Sequence, residues 1–162
     1  MTTPSAPLPL LDATVLSEWV DYNGHMNDAC YCIVFSRAVD NLIDYIGLDA
    51  AARATTGHTV YTLENLLRYL LEVRQGEPLT VTGQLLESDA KRLRLWFEMR
   101  HGDTGELLAT SEQLLICIDQ SGASPRAAPF PPGVAERVQA LQAAHGSLPW
   151  PERAGRGIAL KR

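Results

Sequence analysis

Ten residues near the start of the chain, Trp19–Asp28, read WVDYNGHMND. Within them Asp21, Gly24, His25, Asn27 and Asp28 supply two carboxylates, an imidazole, an amide and a glycine. A carboxylate so placed can act as a nucleophile or as a general base on water. Gly24 lets the backbone approach a ligand closely. A helix starting at Asn27–Asp28 would present unpaired N–H groups and the positive end of its dipole, which suit a developing oxyanion. The same residues also make an ordinary Asx turn followed by a helix cap, and spacing alone leaves both readings open. His25 and Asn27 either orient Asp21 or a water, or serve only as a structural hydrogen-bonding residue and a cap. Tyr31, one helical turn further on, is either core or pocket wall.

Other residues are weighed in the same way. Asp21, His25, Cys30 and Cys32 fit no zinc spacing, and no metal site or cofactor is expected. No glycine-rich phosphate loop is present. Lys91, Arg92 and Arg94 open a strand in a chain with only two lysines. They form a solvated strand edge or a contact for anionic phosphates, with Arg68 and Arg74 as further, weaker possibilities. Glu64 interrupts an apolar strand, either facing outward or adding a second polar group to the pocket. Trp19, Tyr22, Tyr61, Tyr69 and Trp96 are core or interface aromatics, and two or three of them could cage a quaternary ammonium.

The elements that must position these residues follow from periodicity. The 162 residues are 46% hydrophobic and 20% charged with a net charge of -5. That describes one globular domain without a wide nucleic-acid footprint. No apolar run approaches the roughly 20 residues of a membrane span. The N-terminus has no signal-peptide pattern, and the odd cysteine count (Cys30, Cys32, Cys117) argues against a disulfide framework, so a cytoplasmic setting is expected.

Residues 1–10 are expected to be a flexible arm, 11–143 the folded domain and 144–162 a flexible tail. A strand from Leu11 to Val20 leads into the loop. Apolar residues at helical spacing predict a long buried helix over Asn27–Gly47. Alternating stretches predict strands over residues 58–73, 79–88, 92–101 and 107–119, separated by turns at RQGEP, DAK and GDTGE, with an amphipathic helix over 133–145.

Strand, loop, long helix and antiparallel meander is the order of the α+β hot-dog fold, an antiparallel sheet wrapped around a central helix. Asp21-x-x-Gly24-His25-Met26-Asn27 followed by Tyr31 resembles the loop of the 4-hydroxybenzoyl-CoA thioesterase-like family. The stretch from Tyr61 to His101 is similar to that family's second to fourth strands. The resemblance spans roughly residues 10–120. DYNGHMND, YLLEVRQGEPL and DAKRLRLW further resemble thioesterases linked to carnitine breakdown, whose substrate is betainyl-CoA.

These resemblances imply hydrolysis of an acyl-CoA thioester with Asp21 as the active-site acid, Lys91, Arg92 and Arg94 near CoA phosphates, and Tyr22, Tyr31, Tyr61, Glu64, Tyr69 and Trp96 around the acyl group. They also imply a homodimer or dimer of dimers with the site at the interface. Two rivals stand beside this: a hot-dog hydratase, whose longer polar motif is missing here, and a non-enzymatic acyl-CoA binding module, which has no need of Asp21.

Overall fold

The computed structural model describes residues 5–160. Its organising element is α1 (Asp28–Tyr45), capped at its N-terminus by Asn27, whose side chain accepts a hydrogen bond from the Ala29 N–H. Tyr31, Val34, Phe35, Ala38, Val39, Leu42 and Ile43 are buried along it. Burial of each large apolar side chain stabilises by about 1.5–3 kcal/mol, so this helix holds only because something covers most of its circumference.

The cover is a curled antiparallel sheet. Its strands are β1 (Leu8–Thr14), β2 (His58–Tyr69), β3 (Pro78–Ser88), β4 (Arg92–His101) and β5 (Leu107–Asp119), in the order β1-β3-β4-β5-β2. The two-residue β6 (Arg126–Ala127) pairs with the end of β5. Leu79, Val81, Leu93, Leu95, Phe97, Met99 and Leu115 line the inner face, and Phe97 packs on Phe35 with ring centroids 6.2 Å apart. Gly83 has no room for a side chain, since a Cβ there would lie 2.6 Å from Leu10 Cδ1. This is the hot-dog arrangement.

α2 (Ala50–Thr56) was not foreseen; Asp49 caps it and Gly57 ends it at positive φ. α3 (Pro132–His145) packs against β3. Beyond the last pair with β1, the Leu85 N–H of β3 would have no strand partner, and His145 Nδ1 accepts its hydrogen bond at 2.8 Å. Burial of that ring lowers the His145 pKa.

Three expectations change. The first strand runs over Leu8–Thr14 and stops short of Val20, where a 3-10 turn over Ser17–Trp19 intervenes, so residues 8–10 of the expected arm belong to the sheet edge; the arm's residues 1–4 lie outside the described residues. β2 ends at Tyr69 rather than Val73, because the Leu70 and Leu71 N–H groups both turn onto the Leu108 carbonyl and the chain leaves β5. The expected flexible tail is laid across the outer face of the sheet. Gln84 donates to the Pro149 carbonyl, Arg68 donates to those of Arg153 and Gly157, and the Gly155 N–H donates to Glu112. Residues 161–162 of that tail lie outside the described residues.

Candidate active site

The loop before α1 is a small hairpin. Val20 pairs with Met26, the Gly24 N–H donates to the Asp21 carbonyl, and the Asp21 N–H donates to the His25 carbonyl. Gly24 sits at φ 78°, a conformation that favours glycine. The second arm is clasped by the chain that leaves β2: the Met26 N–H donates to the Val73 carbonyl at 2.8 Å, and His25 pairs with Arg74. This departure of the chain from β5 therefore fixes the loop against the start of α1.

A cleft of about 630 Å³ opens there, lined by Asp21, His25, Asp28, Tyr31, Tyr69 and Glu72 among others. Asp21 Oδ1 accepts the Asn23 N–H at 2.8 Å, and among the described residues no cationic side chain bonds the carboxylate. At the helix start the Ala29 N–H is shared by the Asn27 and Asp28 side chains. The Asp28 N–H has no partner among the described residues. One open carboxylate and one open backbone donor thus border the same cleft, the pair of features that acyl transfer needs.

Tyr31 and Tyr69 form one wall, edge to face at 5.2 Å. Their hydroxyls donate to the Leu71 and Asp28 carbonyls. Burial, with Tyr69 and Glu72 nearby, pushes Tyr31 up to about 12, and burial followed by Asp28 and Cys32 raises Tyr69. Both shifts favour the neutral phenol. His25 Nδ1 lies 3.2 Å from Glu72 Oε2, while its Nε2 is buried with no partner among the described residues. Glu72 carries no signal in the sequence; only the His25–Arg74 pairing brings it here.

Of the residues singled out in the sequence, Asp21, His25, Asp28, Tyr31 and Tyr69 meet at this cleft, with Gly24 and Asn27 shaping its loop and helix cap. The others do not join them. Tyr22 is 97% exposed at the loop tip. Trp19 is buried beneath the Arg37 guanidinium, 5.1 Å from its ring. Tyr61 accepts a bond from Gln120 near the far end of β2. Trp96 and Glu64 are on the outer face: Trp96 alternates with the core residues Leu95 and Phe97, and Glu64 borders a groove with Arg94, Glu112 and tail glycines. Of the five aromatics from which two or three were expected to form a cage, Tyr69 lines the cleft, and Tyr31 joins it there.

The basic trio also lies elsewhere in the same chain. Arg92 pairs with β5 at Ile116, whereas Tyr69 pairs with it at Ala109, so trio and cleft occupy opposite ends of the sheet. Arg92 is bound to Asp89, and Arg94 to both Glu87 and Glu112. Lys91 alone has no side-chain partner among the described residues.

Residues 15–138 match the family model described as the thioesterase-like superfamily. The chain belongs to that superfamily. Its activity class is thioester hydrolysis, as the Asp21 loop led one to expect. The chain is 46% identical to the betainyl-CoA thioesterase of Pseudomonas aeruginosa over 96% of its own length and 97% of that protein's. It is 36% identical to the L-carnitine dehydrogenase/betainyl-CoA thioesterase of Rhizobium meliloti, covering 98% of this chain but 31% of that longer one. Among solved structures, a Staphylococcus aureus protein in complex with CoA superposes with a TM-score of 0.86 at 32% identity, covering 96% of this chain and 97% of the other. Among the described residues, no helix is long and apolar enough to cross a membrane.

Proposed function

We propose that the chain hydrolyses a short acyl-CoA thioester whose acyl group is cationic, with betainyl-CoA as substrate and betaine and CoA as products. The observation that carries this is the make-up of the cleft. Among the described residues its lining includes Asp21, Asp28 and Glu72, two tyrosine rings and no lysine or arginine. A quaternary ammonium gains from aromatic faces and from nearby carboxylates, and a neutral acyl group gains only from the apolar part. The names of the full-length relative and of the longer, two-activity relatives support the same substrate.

In this reading the thioester carbonyl accepts the Asp28 N–H, and charge that builds on its oxygen is held there by the helix N-terminus. Asp21 either attacks the carbonyl carbon to form a mixed anhydride that water opens, or takes a proton from the attacking water. CoA leaves as thiolate and is protonated by solvent. The reaction consumes water alone.

The site is completed by a second copy. β2 is the outer edge of the sheet, and an open edge strand is a template for pairing. Leu63, Tyr69, Leu70 and Leu71 are exposed on or just beyond it, and the last three line the cleft. Antiparallel pairing of two β2 edges would bury these side chains and bring the far end of one sheet, with its Lys91 turn, toward the cleft of the other. A homodimer in a reducing cytoplasm is the form expected.

The test is thiol release across CoA thioesters, compared as kcat/KM. Betainyl-CoA should exceed its neutral isostere 3,3-dimethylbutanoyl-CoA by roughly 10-fold or more, the equivalent of about 1.4 kcal/mol from charge recognition. Equal values would remove the cationic acyl group from the account, and preference for benzoyl-CoA would redirect it to aromatic substrates.

A further inference from the structure

CoA carries phosphates, and a cleft lined with three carboxylates repels them. They need a cation outside the acyl subsite but within reach of it. Most arginines of the described chain are already engaged. Arg92 and Arg94 are held by carboxylates at the other end of the sheet. Arg68 binds tail carbonyls, and Arg37 lies over Trp19.

Arg74 differs. Its backbone N–H donates to Glu77 Oε2 at 2.6 Å, but its guanidinium has no hydrogen bond or ion pair among the described residues and the residue is exposed. It is the bridge partner of His25. Residues directly opposite each other in an antiparallel pair have Cβ atoms about 4.5–5.5 Å apart on one face, so Arg74 leaves the backbone beside a residue that lines the cleft. Glu72, two positions earlier, reaches His25 Nδ1 from the same face. Along this short segment Leu70, Leu71 and Glu72 border the cleft, Val73 is buried, and exposed Arg74 follows opposite His25.

The geometry points to Arg74 as the phosphate anchor of the CoA moiety, a binding residue at the rim of the acyl cleft. This rests on the acyl-CoA reading above. The segment then sorts a substrate by charge, with carboxylates toward the cationic acyl end and a guanidinium, which binds phosphate bidentately, toward the nucleotide end.

Two measurements on the full chain test it. For Arg74→Ala, KM for betainyl-CoA should rise about 10-fold, the lower range for a charge-assisted hydrogen bond at an exposed site. KM for the phosphate-free betainyl-pantetheine should change less than twofold, and Arg74→Lys should recover part of the loss with CoA. Calorimetric binding of free CoA should weaken by a similar factor. Equal effects on both thioesters, or unchanged CoA binding, would overturn the assignment. So would a rise confined to Lys91→Ala, which would place the anchor on the turn between β3 and β4. If the wild type turned over neither thioester, the hydrolase reading would fail separately, and CoA binding would still decide the role of Arg74.

Discussion

Asp21 and Asp89 both begin tight turns, and both accept a backbone N–H from two residues ahead. There the likeness ends. Asp89 also accepts the Arg92 N–H and the Arg92 guanidinium at 2.6–2.7 Å. The Arg92 side chain, then the Lys91 N–H, hold its carboxyl at about 2. Among the described residues Asp21 has one backbone donor and no cation, and a cleft lies beside it. One carboxylate is saturated and fixes a turn; the other keeps acceptor capacity free for a substrate or a water. Residue type does not separate the two, and the count of partners does. Glu112 lies on the saturated side, holding Arg94 and the Gly155 N–H of the tail.

Removing the tail is the largest structural perturbation of this contrast. Truncation after His145 takes the Gly155 donor from Glu112 and the Trp150 ring from Arg94. It also strips the segment bound by Gln84 and Glu112, the two register partners that flank Trp96, which is 5% exposed. Uncovering one such aromatic costs about 3 kcal/mol, a fall in Tm of about 6–12 °C for a chain of this size. Scanning calorimetry of the truncated chain checks this; an unchanged Tm would show that the tail adds nothing to the outer face.

A smaller effect is expected at Gly24, which the Asp89 turn has no need to match. A Cβ at Gly24 meets nothing within 4 Å, so Gly24→Ala carries only the left-handed backbone penalty of about 1–2 kcal/mol. Turnover should fall along with stability, because the same backbone sets the position of Asp21. Full activity with lowered stability would separate the turn from the chemistry.

The smallest effect belongs to Asp89→Asn, with a stability loss of no more than about 1 kcal/mol for so exposed a pair and turnover retained. The pH dependence has a definite sign. The folded pKa of Asp89 lies below the usual carboxylate value of about 3.9, so the unfolded chain binds more protons between these values. The contribution is complete above about pH 4 and is lost as pH falls toward 2. Urea midpoints measured over that range should fall less steeply for Asp89→Asn than for the wild type; identical slopes would mean Asp89 is not held by its partners.

Much of this was legible in the sequence. The turns at Asp89–Lys91 and Gly102–Glu106 bound β4 where alternation said they should, and the helix after Asn27 follows its apolar face. For Trp96 the signal is present in the alternation: Leu93, Leu95, Phe97 and Met99 alternate with Arg94, Trp96 and Glu98, which puts Trp96 on the side away from α1 and outside the expected acyl pocket. Glu72, the place of Arg74 beside His25 (its residue type already marked it as a weaker phosphate candidate) and the docked tail are of another kind. Their positions come from the His25–Arg74 bridge and from contacts spanning 43 to 89 residues, as between Glu112 and Gly155 or Arg68 and Gly157. Local periodicity carries no trace of such contacts.

The central claim is that the unsaturated carboxylate does the chemistry. Asp21→Asn keeps the shape and the Asn23 contact and removes the charge. In one preparation, kcat for betainyl-CoA should fall on the order of 10²-fold or more, while Tm stays within about 2 °C of wild type, a change of less than about 1 kcal/mol. Near-wild-type turnover by the folded variant would contradict the account.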